Sequence, residues 1–190
     1  MIRLFVALRP PPAIREPLFD LMDGIPGARW QDDDQLHVTI RFVGEIDERQ
    51  ADDLAAALGQ VSAPAPTVTL EGVGSFATRG RPHTLWAGIA PRDPLAALHR
   101  KVDQACLRAG LAPDHRAFHS HLTLARLSRG LGEGAAIAAW LGRHAGLTSP
   151  PFTLDHLVLY RSDLGHDGAI YEPVLRWRLG NRDAPTALHS

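Results

Sequence analysis

The chain has 190 residues, 45% of them hydrophobic, and a formal net charge of −1 at pH 7. This is enough apolar material for one substantial core or two small ones, and the balanced charge excludes a globally basic nucleic-acid binder while leaving room for a local basic cleft. No apolar run approaches the roughly 20 residues that cross a bilayer, and residues 1–9 lack a small-residue cleavage site after an apolar core, so a soluble cytoplasmic protein with no membrane partner is expected. Cys106 is the only cysteine, which excludes an internal disulfide and a thiolate metal cluster and leaves it the role of a small buried apolar group. All but one of the 20 basic residues are arginine, part of an Ala/Arg/Gly/Pro bias that runs through the whole chain.

In chain order, residues 2–8 form a β-type run closed by Pro10, Pro11 and Pro12. Proline suits a first helical turn, and Ile14, Leu18, Leu21 and Met22 then recur at helical spacing, which predicts a helix over 12–23. Gly24, Pro26 and Gly27 break it, and the acidic run 32–34 reads as a solvated turn. Next comes Leu36-His37-Val38-Thr39-Ile40-Arg41-Phe42-Val43, a β-branched strand. Asp47 is the expected cap of a helix to residue 60 with Leu54, Leu58 and Val61 on its inner face. Strands are predicted over 67–76 and 84–89, with a turn at 80–82, and a helix over 93–110. The strand 121–126, an Ala-rich helix over 133–144 and strands over 152–161 and 170–179 complete the chain.

The second half repeats the first. Sliding the chain by the 84 positions between His37 and His121 sets strand on strand and helix on helix, and aligns Pro66-x-x-Thr69-Leu70-Glu71 with Pro150-x-x-Thr153-Leu154-Asp155. An internal duplication is the expectation, with two pseudo-symmetric lobes in one domain over 1–190 and a cleft between them.

Both motif strands carry His-x-Thr. A period of two puts the imidazole and hydroxyl on one face, with Val38 and Ile40, or Leu122 and Leu124, on the other. Two histidines facing one cavity can divide acid–base work at a phosphorus without a metal: one takes the proton of an attacking water and the other protonates the departing oxygen. The threonine hydroxyls would hold the non-bridging oxygens. By alternation Arg41 shares the face of His37 and Thr39, whereas Arg126 falls on the face opposite His121.

His37-Val-Thr39-Ile and His121-Leu-Thr123-Leu resemble the paired signature of the 2H phosphoesterases. More narrowly, Arg3-Leu-Phe-Val-Ala-Leu, the LHVTIRFVGE run, the stretch 118–126, Leu159-Tyr-Arg-Ser, Tyr171-Glu and Trp177 resemble the bacterial and archaeal RNA 2′,3′-cyclic phosphodiesterases, also called 2′-5′ RNA ligases, over residues 2–179. The chain departs from them at Ser120, where relatives commonly carry proline. The resemblance implies a bilobal α+β fold with two antiparallel sheets flanking a central cleft and helices outside. It implies hydrolysis of an RNA 2′,3′-cyclic end to a 2′-phosphate with no cofactor and no metal, by a protein expected to be a monomer. His37 carries over as proton donor and His121 as proton acceptor, an order that the residues themselves leave open. Thr39 and Thr123 carry over as phosphate ligands, and Arg126 matches a basic position of close relatives that could clamp phosphate. A sibling enzyme acting on a small cyclic phosphate such as ADP-ribose cyclic phosphate, reversible 2′-5′ ligation, or a module that holds RNA ends without cleaving them are the alternatives.

His115 and His119 lie near His121 but without a partner at a tight ligand spacing, so no metal site is expected. His83, His99, His144, His156 and His166 read as solvated. Trp86, Trp140 and Trp177 are expected in the core, with Trp30 free to stack on a base.

Overall fold

A computed structural model describes residues 1–128, 134–165, 168–180 and 186–187. The strands are β1 (Ile2–Leu8), β2 (Arg29–Trp30), β3 (Val38–Ile46), β4 (Thr67–Thr78), β5 (Arg81–Ala90), β6 (His121–Arg126), β7 (Phe152–Thr153), β8 (His156–Gly165), β9 (Gly168–Arg178) and β10 (Thr186–Ala187). The helices are α1 (Pro12–Arg15), α2 (Glu48–Leu58), α3 (Asp93–Arg108) and α4 (Gly134–His144). The predicted helix start at Glu133, and His166, lie outside the described residues.

The fold is α+β. Two antiparallel sheets have the strand orders β10-β9-β8-β1-β3 and β2-β6-β5-β4-β7. Each sheet therefore mixes strands from both halves of the chain, and each motif strand lies next to the strand that opens its half. Helices α2 and α3 pack on each other, with α3 against β3 and α4 against β4. Leu54, Leu58, Leu95, Leu98, Val102, Ile137 and Trp140 join the sheet residues Val6, Leu8, Leu85, Leu122 and Leu124 in one core. At eleven residues α2 is too short to hold itself together in water. A reciprocal cap between Asp47 and Gln50 starts it, and burying Leu54 and Leu58 completely contributes about 1.5–3 kcal/mol each.

The single strand expected over 152–161 is in fact two: β7 pairs with β4 in the second sheet, and β8 pairs with β1 in the first. Other differences from the sequence expectation have identifiable reasons. The helix over 12–23 is one α-turn that continues as a 3-10 helix over Glu16–Leu21, because Pro17 has no N–H to give and its ring crowds the preceding turn. Strands β4 and β5 run further than predicted and meet in a two-residue turn, with Arg79 and Gly80 both at positive φ, the geometry whose twist matches a hairpin. The acidic run is not solvated as a whole: Arg15 grips Asp33 with two bonds of 2.8 and 2.9 Å, and Arg9 adds a third at 2.8 Å. Arg15, foremost, holds the Asp33 carboxyl below its usual pKa.

The decisive departure is a pair of β-bulges. In the β1–β3 register Ala7 faces Thr39 and Val6 faces Arg41, so Ile40 is extra. In the β5–β6 register Trp86 faces Thr123 and Leu85 faces Ala125, so Leu124 is extra. An unpaired residue lets two successive side chains turn to one face and reverses the alternation beyond it. Ile40 and Arg41 are both buried, as are Leu124 and Ala125. The freed carbonyls find other donors: His99 Nδ1 binds Ile40 O at 2.8 Å, and the Gln31 backbone N–H binds Leu124 O, also at 2.8 Å. His99, expected in solvent, is thus a brace, stacked on Phe118 at 4.5 Å.

The bulges overturn both parity expectations for the arginines. Arg41 still borders the cleft, but it is 6% exposed and turned into the protein. Its guanidinium binds Asp103 Oδ1 at 2.8 Å, the carbonyls of Phe42 and Ala112 at 2.5 and 2.6 Å, and Asp114 Oδ2 at 3.4 Å. It is a structural anchor with its donors spent inside the protein. Arg126 is turned the other way, to the face of His121 and Thr123.

Replacing Arg41 with Met strands two carboxylates around a buried site. The expected cost is about 2–3 kcal/mol, to be read as a lowered urea midpoint at unchanged slope. A variant as stable as the parent would show that the ion pairs do not anchor β3.

Candidate active site

Strands β3 and β6 approach each other from the two sheets and border an open cleft of about 1380 Å³ lined by His37, Thr39, His121, Thr123, Arg126 and Tyr171 among others. The two motifs that are 84 positions apart in sequence thus share one cavity. Their hydroxyls, on Thr39 and Thr123, have no hydrogen-bond partner among the described residues, so they are available to a ligand.

His121 Nδ1 donates to the carbonyl of His119, two residues back, at 2.7 Å. With that N–H committed, the neutral His121 ring keeps its second nitrogen free to exchange a proton. The His37 ring lies by the backbone of Gln35, which favours its charged form against the larger effect of burial. The loop that carries Gln35 is itself tied down. Asp33 is gripped by Arg9 and Arg15, and Gln35 Nε2 donates to Ala169 O at 2.8 Å, which joins the loop to β9.

The walls are aromatic. His37 has Phe5 at 4.9 Å, Tyr171 at 5.1 Å and Tyr160 at 6.0 Å between ring centroids. His121 has Phe76 at 4.8 Å, His119 at 5.9 Å and Trp86 at 6.4 Å. Such surroundings disfavour an imidazolium. Burial pushes His37 down to about 4, with the nearby His121, Arg126 and Arg9 lowering it further against the opposing Gln35 bond. His121 is lowered as well, again chiefly by burial. Both rings are therefore neutral at pH 7.

Arg126 Nη1 donates to Thr84 Oγ1 at 3.1 Å, with the rest of its guanidinium exposed at the cleft. His119 sits against Trp86 at 4.9 Å. Among the described residues no three histidine, cysteine or acidic side chains lie close enough together to hold a metal ion.

A sequence profile of the 2′-5′ RNA ligase superfamily matches residues 10–166. The chain belongs to that superfamily. Among sequence relatives, proteins named RNA 2′,3′-cyclic phosphodiesterase from Archaeoglobus fulgidus and Escherichia coli are similar to it. The first is 31% identical over 131 residues, covering 67% of this chain and 74% of the relative. The second is 27% identical over 191 residues, covering 93% and 96%. A protein of the same name from Geobacillus stearothermophilus is 31% identical over 147 residues, 76% of this chain, but the match spans only 46% of that longer relative. Among solved structures, Escherichia coli LigT complexed with 3′-AMP superposes with a TM-score of 0.74 at 26% identity, covering 95% of this chain and 99% of the other.

Within this superfamily member the sequence reading missed most of the cleft walls. Phe5, Tyr160 and Tyr171 fall in runs that carry the family resemblance, but nothing in their spacing points to a histidine that is far off in the chain. Trp86, expected in the core, is only half-buried: it lies across Gly74, where a Cβ would come within 2.3 Å of its ring, and packs behind His119 and His121. Trp30 packs on Trp140 at 5.7 Å instead of standing free. Trp140 and Trp177 are in the core. No helix of the described residues is long and apolar enough to cross a membrane.

The depressed pKa of His37 has a sign that can be tested. Between pH 6.5 and about 4 the unfolded chain takes up a proton at this residue that the folded chain refuses, so stability falls on acidification through that window. His37→Gln removes the contribution, about 2–3 kcal/mol. Urea midpoints from pH 7 to 4 are expected to fall less steeply for the variant. Parallel curves would show that His37 titrates normally in the fold.

Proposed function

We propose that the chain hydrolyses 2′,3′-cyclic phosphate ends of RNA to 2′-phosphates by two-histidine acid–base catalysis. The observation that carries this reading is that the two His-x-Thr motifs, 84 positions apart, bring two imidazoles and two unpartnered threonine hydroxyls into one cleft. The similarity to proteins named for this activity supports it.

In the reaction, water attacks phosphorus and its proton passes to His121. The bond from phosphorus to O3′ breaks, and O3′ takes a proton from His37. The phosphate stays on O2′, and solvent exchange returns both rings to their starting states. The hydroxyls of Thr39 and Thr123 and the Arg126 guanidinium hold the non-bridging oxygens, where the transition state keeps its charge. A histidine that burial strips of its proton easily is a strong acid when protonated. The anionic substrate is what brings the proton in, by favouring an imidazolium beside it.

We also read the chain as one domain built by duplication. The two bulges, at Ile40 and Leu124, are 84 positions apart, the offset of the two histidines, and each follows its His-x-Thr by the same interval.

The pH profile follows from the shifts. Because His37 stands near 4 and His121 below 6.5, kcat/KM is expected to be bell-shaped with its maximum on the acid side of neutrality, whichever ring is the acid. The assay uses a short RNA with a 2′,3′-cyclic end in excess chelator, with nuclear magnetic resonance to identify the product. Chelator-insensitive release of 2′-phosphate alone would support the reading. Binding without turnover at every pH would favour an end-binding module, and turnover of ADP-ribose cyclic phosphate in its place would favour the small substrate.

The order of the roles can be separated by the leaving group. An aryl phosphodiester needs little protonation as it departs. His37→Ala is expected to lose at least about 100-fold on the RNA end and much less on the aryl ester, whereas His121→Ala loses on both. The reverse pattern would exchange the two assignments.

A further inference from the structure

Beside the cleft, and opening into it, lies a smaller hollow of about 320 Å³ that is lined by Arg29, Gln31, His83, Arg126 and Tyr171 among others, with no carboxylate among its described lining residues. Three features show that it is built for an anion. Arg29 and Arg126 are direct cross-strand partners in the β2–β6 pair, a like-charge juxtaposition that costs free energy when nothing lies between the two. Neither has a carboxylate partner among the described residues.

The second feature is Gln31. It is only 8% exposed, yet its side-chain amide has no hydrogen-bond partner among the described residues. An amide that lines the hollow with no partner inside the protein is available to donate to a bound acceptor. The third is Thr84, 1% exposed. Its hydroxyl receives Arg126 Nη1 at 3.1 Å and meets His83 Nδ1 at 2.9 Å. When that hydroxyl donates to Nδ1, neutral His83 carries its hydrogen on Nε2. One buried oxygen then sets two donors in place.

We infer that Arg29, Gln31 and His83, with Arg126 on the border towards the cyclic phosphate, form a second anion subsite, which takes a phosphate on the 5′ oxygen of the same nucleoside whose 2′,3′-cyclic phosphate lies between His37 and His121. This inference rests on the phosphodiesterase reading of the cleft. Tyr171 supplies the continuity, because it lines the hollow and also stands edge-on to His37 at 5.1 Å. Every polar side chain named in the subsite can donate. Two guanidinium forks, an amide and an imidazole N–H suit the several acceptor oxygens of a phosphate. A 5′-linked phosphate comes either from the next nucleotide of an RNA chain or from a phosphorylated mononucleotide.

The test measures binding and turnover separately. Calorimetry compares a nucleoside 2′-phosphate with the 2′,5′-bisphosphate on the unmodified protein, Arg29→Gln and Arg29→Lys. The bisphosphate is expected to bind at least about tenfold tighter to the unmodified protein. Arg29→Gln should cut that advantage below about threefold, Arg29→Lys should restore part of it, and the slope of log affinity against log salt should shrink by about one in Arg29→Gln. Equal affinities, or an advantage that survives Arg29→Gln, would overturn the subsite whether or not turnover is seen. Hydrolysis is then compared for a nucleoside 2′,3′-cyclic phosphate, its 5′-phosphate and a dinucleotide with the same end. A higher kcat/KM for the dinucleotide assigns the subsite to an RNA chain, and a gain confined to the 5′-phosphate assigns it to mononucleotides. Equal rates on all three overturn the subsite alone, whereas no hydrolysis of any overturns the phosphodiesterase reading.

Discussion

At Ile40 and Leu124 each motif strand carries one residue more than its neighbour can pair, and the placement of charge in the cleft depends on those two insertions. A regular strand with His37 and Thr39 facing the cleft would bring Arg41 to the same face, and a regular β6 would send Arg126 into the core. Burying two adjacent side chains in each strand exchanges the outcomes. One arginine becomes an internal anchor for Asp103 and Asp114, and the other, held by Thr84, becomes a cation beside the histidines. The bulges themselves persist because both orphaned carbonyls are satisfied, by His99 on one side and the Gln31 backbone on the other. Without those donors each bulge would leave a buried acceptor unpaired.

Around this frame the cleft combines two environments. The aromatic walls withdraw water from the imidazoles and keep them neutral, whereas the arginines at the edge supply positive charge to which an anion can be drawn. The separation matters because a cation packed directly against the histidines would make the second proton still harder to hold. Arg126 and Arg9 already lower His37, but burial is the larger cause. An incoming phosphate offsets both.

The strand and helix order was legible in the sequence almost throughout, because amphipathic periodicity and caps such as Asp47 are local signals. His37, Thr39, His121 and Thr123 were legible because two copies of a short motif make a pattern that one copy does not. Strand alternation misplaced the arginines because it presumes an unbroken ladder, although the resemblance had pointed to Arg126. A bulge depends on how the neighbouring strand packs, and no run of residues within β3 or β6 announces it. The aromatic walls were hidden for a different reason: Phe5, Tyr160 and Tyr171 come to His37 from strands far apart in the chain. The clamp on Asp33 was equally invisible, since Arg9 and Arg15 reach it only once α1 has folded back along the loop.

The exchange of strands between the halves bears on how the molecule is made. The centre of the second sheet, β4, β5 and β6, lies within residues 67–126, so its pairings can close while the remainder is still being synthesised. The first sheet has no such freedom. Strand β1 emerges first but lies between β3 and β8, and its inner edge waits for residues 157–161. Long-range pairing of this kind is slow and leaves an apolar edge open in the interval. The β1–β3 pair can close early, but the other edge of β1 stays open until the chain reaches residue 161. Conditions that slow the release of the last third of the chain would therefore be felt as aggregation through β1 rather than as loss of the second sheet.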